Sequence, residues 1–535
     1  MRARWQPHLD QAALTTQKYI WPNGRYANVN DAHWSDNTTD RWDCYGVLDE
    51  YRPQRSEPQL LTWSGHAVLG RGEGDDQVQA RLNFHGAYGH DHFDMLNFFL
   101  YAKGDELISE TDYGSGALRG WTASMPGHNT VVIDEQEPFH RSSAPRRQFT
   151  DIDAMPDVED YDWARYTIGH GVCLTDGQLR LFASDGPNGL QVVEVDGQRT
   201  WPAELCSLYR RTICMVHSSG PDVYFVDIFR VRGGSVHDWM LHGPLHLNYT
   251  AQTSLPLQAD PDAERKLHTR ISNLRTASTQ EQWDITFTAE TGQKVRTIML
   301  GGPETQVILG EAPAMRREGE ATFLDVRRQG PESIFVAVHE PYTDQPKIER
   351  VSLKPLTDAS EMAVAVEVDL DGRRDAFLST LDASGHIEDH FTGHFGYMSM
   401  SRAEARLDAY IADAQALQTG PVHVEAAPAW EGNVLDTMSV ERGDEVNGFV
   451  TDAELPEGEE LSGKLLLTED GDGTTRGFLV TGVEAGEQAR RIITIDRVPG
   501  MLIKQDHVKL EYFPNWGIPG GLTFRIINTA TGPEG

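Results

Sequence analysis

Residues 85–136 read HGAYGHDHFDMLNFFLYAKGDELISETDYGSGALRGWTASMPGHNTVVIDEQ. Residues 95–101 are a short apolar run rich in aromatics, Gly104-Asp105 is a turn signal, and residues 130–133 are a second apolar run. Runs of this length bounded by turn residues read as strands. The Gly104-Asp105 turn predicts a hairpin, which brings Glu110 back beside His92, 18 residues earlier. His128 follows after another 18 residues, at the entry to a third neighbouring strand.

The same grammar extends outward. Residues 78–84 and 223–231 are further β-branched and aromatic runs, and Asp176-Gly177, Asp185-Gly186, Asp196-Gly197 and Asp371-Gly372 recur as hairpin dipeptides. Many strands at short spacing imply stacked antiparallel sheets. The expected fold is mainly β. Residues 61–400 form a large antiparallel β-sandwich, too long for a single immunoglobulin-sized unit. Residues 1–60 are irregular and polar, with a short helix over 9–19 and a turn over 21–26, WPNGRY. In residues 401–418, SRAEARLDAYIADAQALQ, the side chains Leu407, Tyr410, Ile411 and Ala414 fall at helical spacing, and Ser401 with Glu404 makes a capping box. This stretch is expected to be a linking helix. Residues 419–535 return to β patterning, with a turn at Asp470-Gly471-Asp472-Gly473, and are expected to form a smaller C-terminal β domain.

Composition narrows the function. The 535 residues include 12 Trp, 16 Tyr and 19 Phe, ample for buried cores. A formal net charge of −34 repels nucleic acid and anionic membrane surfaces. Any binding of an acidic polymer must therefore rely on local Arg, His or metal charge. The cysteines Cys44, Cys173, Cys206 and Cys214 form no CxxC pair, and Cys206 and Cys214 read as small buried residues. No apolar run reaches the ~18 residues of a transmembrane helix. Residues 1–10 lack the apolar core of a signal peptide.

The chemistry concentrates in His85, His90, His92, Asp94, Glu110, Asp112 and His128. On a strand, His90 and His92 share a face. Two histidines and a carboxylate make a zinc site with an open position. The bland alternative is that these are ordinary polar or hydrogen-bonded core histidines. A rival enzyme reading takes His92-Phe93-Asp94 with His128 as the facial triad of a non-haem Fe(II) oxygenase, with Arg141 holding a carboxylate co-substrate. His237-Asp238-Trp239 and His242 read as structural.

Residues 89–114, GHDHFDMLNFFLYAKGDELISETDYG, together with 128–134, HNTVVID, resemble the heparinase II/III-like polysaccharide lyases. Residues 208–243, LYRRTICMVHSSGPDVYFVDIFRVRGGSVHDWMLHG, resemble that family's later strands. The resemblance covers roughly residues 60–400 and, more faintly, 420–535. It implies that His90 faces the substrate's uronate and that His92 and His128 are metal histidines. Glu110 stands where the family has a metal-binding Asp, and Asp112 is the alternative ligand if the hairpin slips by two residues. Asp94 then orients the histidines. Zn²⁺ is the implied cofactor and an acidic polysaccharide the implied partner, with no nucleic acid and no transmembrane segment. The implied reaction is β-elimination of a uronate-containing glycan, with His90 neutralising the carboxylate and Tyr113 a candidate proton donor. The family's other catalytic groups lie on an N-terminal helical toroid. Residues 21–31, WPNGRYANVND, resemble its tail, so the chain is expected to be an incomplete lyase with little activity alone, from a periplasmic or secreted parent. The reading from another class is a non-catalytic carbohydrate-binding or structural β module.

Overall fold

Lys103 and Gly104 both adopt left-handed backbone, with φ of 57° and 85°, as a two-residue type I′ hairpin requires. They join the strands Phe98–Ala102 and Asp105–Ile108, which pair antiparallel with Ala102 opposite Asp105. The computed structural model describes residues 17–27, 52–85, 92–114, 118–138, 177–260, 270–401, 406–420, 422–512 and 517–532. Within these, Gln59–Leu61, His66–Arg71 and Val78–Asn83 complete a five-stranded antiparallel sheet with the hairpin. Trp21 is buried and stacks on Tyr101 with ring centroids 5.6 Å apart, and the Arg81 guanidinium lies 4.6 Å from the Trp21 ring. These contacts hold residues 17–27 to the sheet.

Two larger sheets build the sandwich. One has eight strands in the order Tyr249–Thr253, Trp283–Ala289, Lys294–Met299, Glu332–Tyr342, Asp222–Arg232, Leu208–Ser219, Gln191–Asp196 and Gln178–Ala183. The other has six, in the order Gln258–Ala259, Ser272–Thr279, Thr305–Pro313, Glu320–Gln329, Val236–His242 and Val131–Ile133. Along Trp283–Ala289 the residues Trp283, Ile285, Phe287 and Ala289 are buried and the intervening ones are not, the two-residue period of a sheet with one wet face. Residues 223–231 are buried at every position, as suits a strand in the middle of the stack. One continuous core unites these sheets with the five-stranded one.

A further eight-stranded sheet runs Ile348–Leu353, Val364–Leu370, Arg373–Ser379, Phe391–Ser401, Arg406–Thr419, Val422–Glu425, with His386–Ile387 added onto Phe391–Ser401 and Thr529–Gly532 onto Arg406–Thr419. The linking helix expected over 401–418 is therefore not a helix. Residues 402–405 lie outside the described residues, and Arg406–Thr419 is a strand paired along its length with Phe391–Ser401. The cause is burial on both faces. Tyr410 and Ala412 pack into the main core, whereas Ala409, Ile411 and Ala414 pack into a separate cluster. Apolar side chains on both faces, plus a left-handed residue at Asp413 (φ 51°), imitate helical spacing in the sequence.

The C-terminal sheet has seven strands, ordered Trp430–Val434, Leu522–Ile526, Leu465–Glu469, Thr475–Ala485, Arg491–Ile495, Gly448–Thr451 and Asp436–Met438. Its own core includes Phe449, Phe478, Ile493 and Phe524. The Asp470–Gly473 turn links Leu465–Glu469 to Thr475–Ala485, with Gly473 at φ 77°. The helix expected over 9–19 lies mostly outside the described residues.

Candidate metal centre

Three segments meet where the five-stranded sheet abuts the sandwich. His92 sits on the loop entering Phe98–Ala102, not on a strand, so the shared strand face expected for His90 and His92 does not apply. Glu110 follows the hairpin's second strand, Asp105–Ile108. His128 precedes Val131–Ile133, a strand of the six-stranded sheet rather than a neighbour of the hairpin.

Hydrogen bonds of two asparagines fix this junction. Asn97 donates through Nδ2 to Glu110 Oε2, and its Oδ1 accepts the Asn129 N–H at 2.9 Å. Asn129 donates to the Ser109 carbonyl at 3.0 Å and accepts the His242 N–H at 2.9 Å. Beneath them lies Arg211. Its guanidinium holds Asp227 through Nε at 2.9 Å and Nη2 at 2.7 Å, and Nη1 donates to the carbonyls of Leu96 (2.7 Å) and Asn129 (2.5 Å). One buried cation thus ties the loop carrying His92 to the turn carrying His128. None of Asn97, Asn129 or Arg211 was singled out from the sequence. The available signal was polar residues inside apolar runs.

His92, Glu110 and His128 are 4%, 1% and 0% exposed, and each brings a donor atom within 4.8 Å of the others. The His92 and His128 rings lie 5.2 Å apart. Glu110 Oε1 lies 2.7 Å from His128 Nδ1 and accepts from the Thr111 backbone N–H and Oγ1 at 2.8 and 2.9 Å. Burial works against charge on both partners, but their mutual attraction prevails: Glu110 is held below the usual carboxylate range and His128 above the usual imidazole range. Asp94 is buried too, and the neighbouring His85, with Nε2 3.5 Å from Oδ1, keeps it below its ordinary range despite that burial. Asn83 donates to its other oxygen at 2.6 Å.

The remaining candidates lie elsewhere. Asp112 is outside the donor group, and its Oδ1 caps the Tyr113 N–H at 2.7 Å. Tyr113 is exposed, with the Arg119 guanidinium 5.6 Å from its ring. His90 and Arg141 lie outside the described residues. Asp94 is likewise not a member of the donor group. His237 bonds Ser333 and the Gly233 carbonyl, and Asp238 pairs with Arg327 at 2.7 Å, both inside the sheet. His242 is buried and neutral, since burial pushes it down to about 4. Cys206 and Cys214 are buried free thiols.

Two imidazoles and one carboxylate form a donor set that zinc accepts. Donors at about 2.0–2.2 Å from a tetrahedral ion stand about 3.3–3.6 Å from one another, inside the 4.8 Å span of this group. His128 Nε2 is buried with no hydrogen-bond partner, so the group has an unspent donor. The residues fit the metal.

Residues 64–334, about half of the chain, match the family model described as heparinase II/III-like, C-terminal. The chain belongs to the heparinase II/III-like family. A 132-residue stretch is 32% identical to an alginate lyase of Stenotrophomonas maltophilia, covering 21% of this chain and 18% of that protein. An 87-residue stretch is 32% identical to an exo-oligoalginate lyase of Saccharophagus degradans, covering 14% and 11%. A heparinase III crystal structure aligns at TM-score 0.47 and 14% identity over 70% of this chain and 55% of its own. Heparan sulfate lyase HepC of Pedobacter heparinus aligns at 0.45 and 13% over 69% and 51%. This heparinase II/III-like chain thus spans about half the length of those two structures.

Proposed function

We propose that the chain supplies one wall of a lyase cleft that cleaves uronate-containing glycans by β-elimination. The observation that carries this reading is the convergence of His92, Glu110 and His128 as buried donors, at the positions where the family motif has its metal ligands. Those three residues would hold zinc, which would brace the cleft wall.

β-Elimination consumes no water. It needs the uronate charge neutralised, the C5 proton removed and the leaving O4 protonated. His90, two residues before His92, is assigned to the uronate carboxylate. Tyr113, exposed beside Arg119, is assigned to proton transfer at O4, and the base that takes the C5 proton is assigned to the opposing wall of the cleft. The buried Glu110–His128 pair and Asp94 hold the geometry and touch no substrate.

The test is product absorbance at about 232 nm, where unsaturated uronates absorb, with zinc-loaded chain on alginate, heparan sulfate, hyaluronan and a neutral glucan. Slow product formation is expected from a uronate polymer only, in keeping with a chain that supplies one wall of the cleft, with a further loss of about 10²–10⁴-fold in His90→Ala. Binding of these polymers without any product would favour the non-catalytic carbohydrate module instead.

A further inference from the structure

A cleft of about 1030 Å³ opens where the sandwich meets the C-terminal sheet. It shares no residue with the His92–Glu110–His128 group. Four cationic side chains line it: Arg180 on the edge strand Gln178–Ala183, Arg210 on Leu208–Ser219, His394 on Phe391–Ser401 and Arg525 on Leu522–Ile526.

Three of the four hold close ion pairs with the protein's own carboxylates, although Arg210 Nε, like Arg180 Nε, is buried with no hydrogen-bond partner. Arg210 holds Glu194 at 3.2 Å and Asp196 at 3.0 Å. His394 lies between Glu194 at 2.7 Å and Asp413 at 3.2 Å. Arg525 pairs with Asp413 and with Glu431 at 3.1 Å. Arg180 differs. Its nearest carboxylate oxygen is Asp196 Oδ2 at 3.8 Å, an oxygen that Arg210 already takes at 3.0 Å. Its Nε is buried with no hydrogen-bond partner. Burial accordingly weighs on its charged form more than its neighbours restore. A guanidinium is a planar fork suited to a carboxylate, and a buried N–H without an acceptor costs free energy that an incoming acceptor returns.

The rest of the lining narrows the ligand. Leu467 and Phe524 give an apolar floor, Asn433 and Thr523 offer groups that match sugar hydroxyls, and Asp382 and Glu469 make part of the wall acidic. The volume sits at the upper end of ligand cavities and exceeds what a small free anion needs. We propose that this cleft is a second glycan site, in which Arg180 takes the carboxylate of a uronate unit. The sugar class rests on the lyase reading above, and the site itself rests on Arg180 and the cleft.

The test is isothermal titration of the full chain with an alginate trisaccharide, with maltotriose as the neutral control. Arg180→Gln is expected to weaken binding of the acidic trisaccharide by about 10-fold or more. Ser384→Trp, at an exposed position of the mouth, is expected to do the same by blocking the cleft. Lys354→Gln, which removes an exposed cation outside the cleft, is expected to bind as the wild type does. If Arg180→Gln fails to fold by circular dichroism, Ser384→Trp decides. Undiminished binding in the cleft variants, equal binding of maltotriose, an equal loss in Lys354→Gln, or no binding at all overturns the proposal. Cleavage is read separately: binding sensitive to Arg180→Gln without any product at about 232 nm would sink the lyase reading and leave this site standing.

Discussion

Glu110 Oε1 and His128 Nδ1 lie 2.7 Å apart inside the protein, although they flank strands of different sheets and stand 18 residues apart in the chain. Neither has water to fall back on, so each needs the other or a metal. Dialysis against zinc is expected to load one ion per chain, measured by mass spectrometry, and His128→Ala is expected to abolish uptake. At free zinc about 100 times its Kd, the gain in unfolding free energy should be about 2.7 kcal/mol. A wild-type chain that takes up no zinc would refute the assignment.

The choice between Glu110 and Asp112 is a question of hairpin register. Glu110→Gln leaves a buried His128 facing a neutral amide and should cost about 3–5 kcal/mol in urea unfolding. Asp112→Asn, whose carboxylate caps the Tyr113 N–H outside the donor group, should stay within about 0.5 kcal/mol of the wild type and keep zinc uptake. The opposite ranking would shift the ligand by two residues.

Arg211 touches none of the donor atoms, yet the site hangs on it. Arg211→Lys keeps the charge but loses the fork that reaches Asp227, Leu96 and Asn129 together. It should destabilise the chain by about 2–4 kcal/mol and weaken zinc binding by about 10–100-fold. An unchanged zinc affinity would show that the loop and turn hold their places without it.

A pH dependence follows from His394. Burial disfavours its charge, but Glu194 and Asp413 override that and raise it to about 9. Glu194 is held below its ordinary range, burial opposing and His394 the leading charge in favour. The His394 contribution is complete below pH 6.5, its ordinary value, and fades as pH rises through about 9. The Glu194 contribution is complete above 4.5 and fades as pH falls. Both hold between pH 4.5 and 6.5. The stability difference between the wild type and His394→Gln should shrink by on the order of 1–3 kcal/mol from pH 6.5 to 9. A difference that stays flat over that range would show that the pair is neutral in the folded chain.

The hairpin over residues 98–108 was legible because its evidence is local: two apolar runs and a turn whose residues tolerate left-handed backbone. The His92, Glu110 and His128 grouping was legible for the same reason, since the hairpin alone returns Glu110 to His92. The bracing was not. Asn97 meets Asn129 across 32 residues, and Arg211 meets Asp227 across a strand pair. Nothing in either stretch names its partner. Residues 406–419 misled because a strand buried on both faces loses its two-residue alternation, and only the tertiary packing restores the distinction.

The strand Thr529–Gly532 lies against Arg406–Thr419, with Ile411 opposite Ala530, so the C-terminal sheet is spliced into the sandwich by a contact spanning more than a hundred residues. During synthesis at about 5–20 residues per second, Arg406–Thr419 emerges roughly 6–24 s before its last partner exists. For that interval one edge of a strand with apolar residues on both faces is unpaired, the kind of edge that recruits strands from other chains. Non-local closure of this sort also slows folding. The final step of assembly is thus the one most exposed to mispairing, and a chaperone that shields this edge would raise the yield of folded chain more than added stability elsewhere.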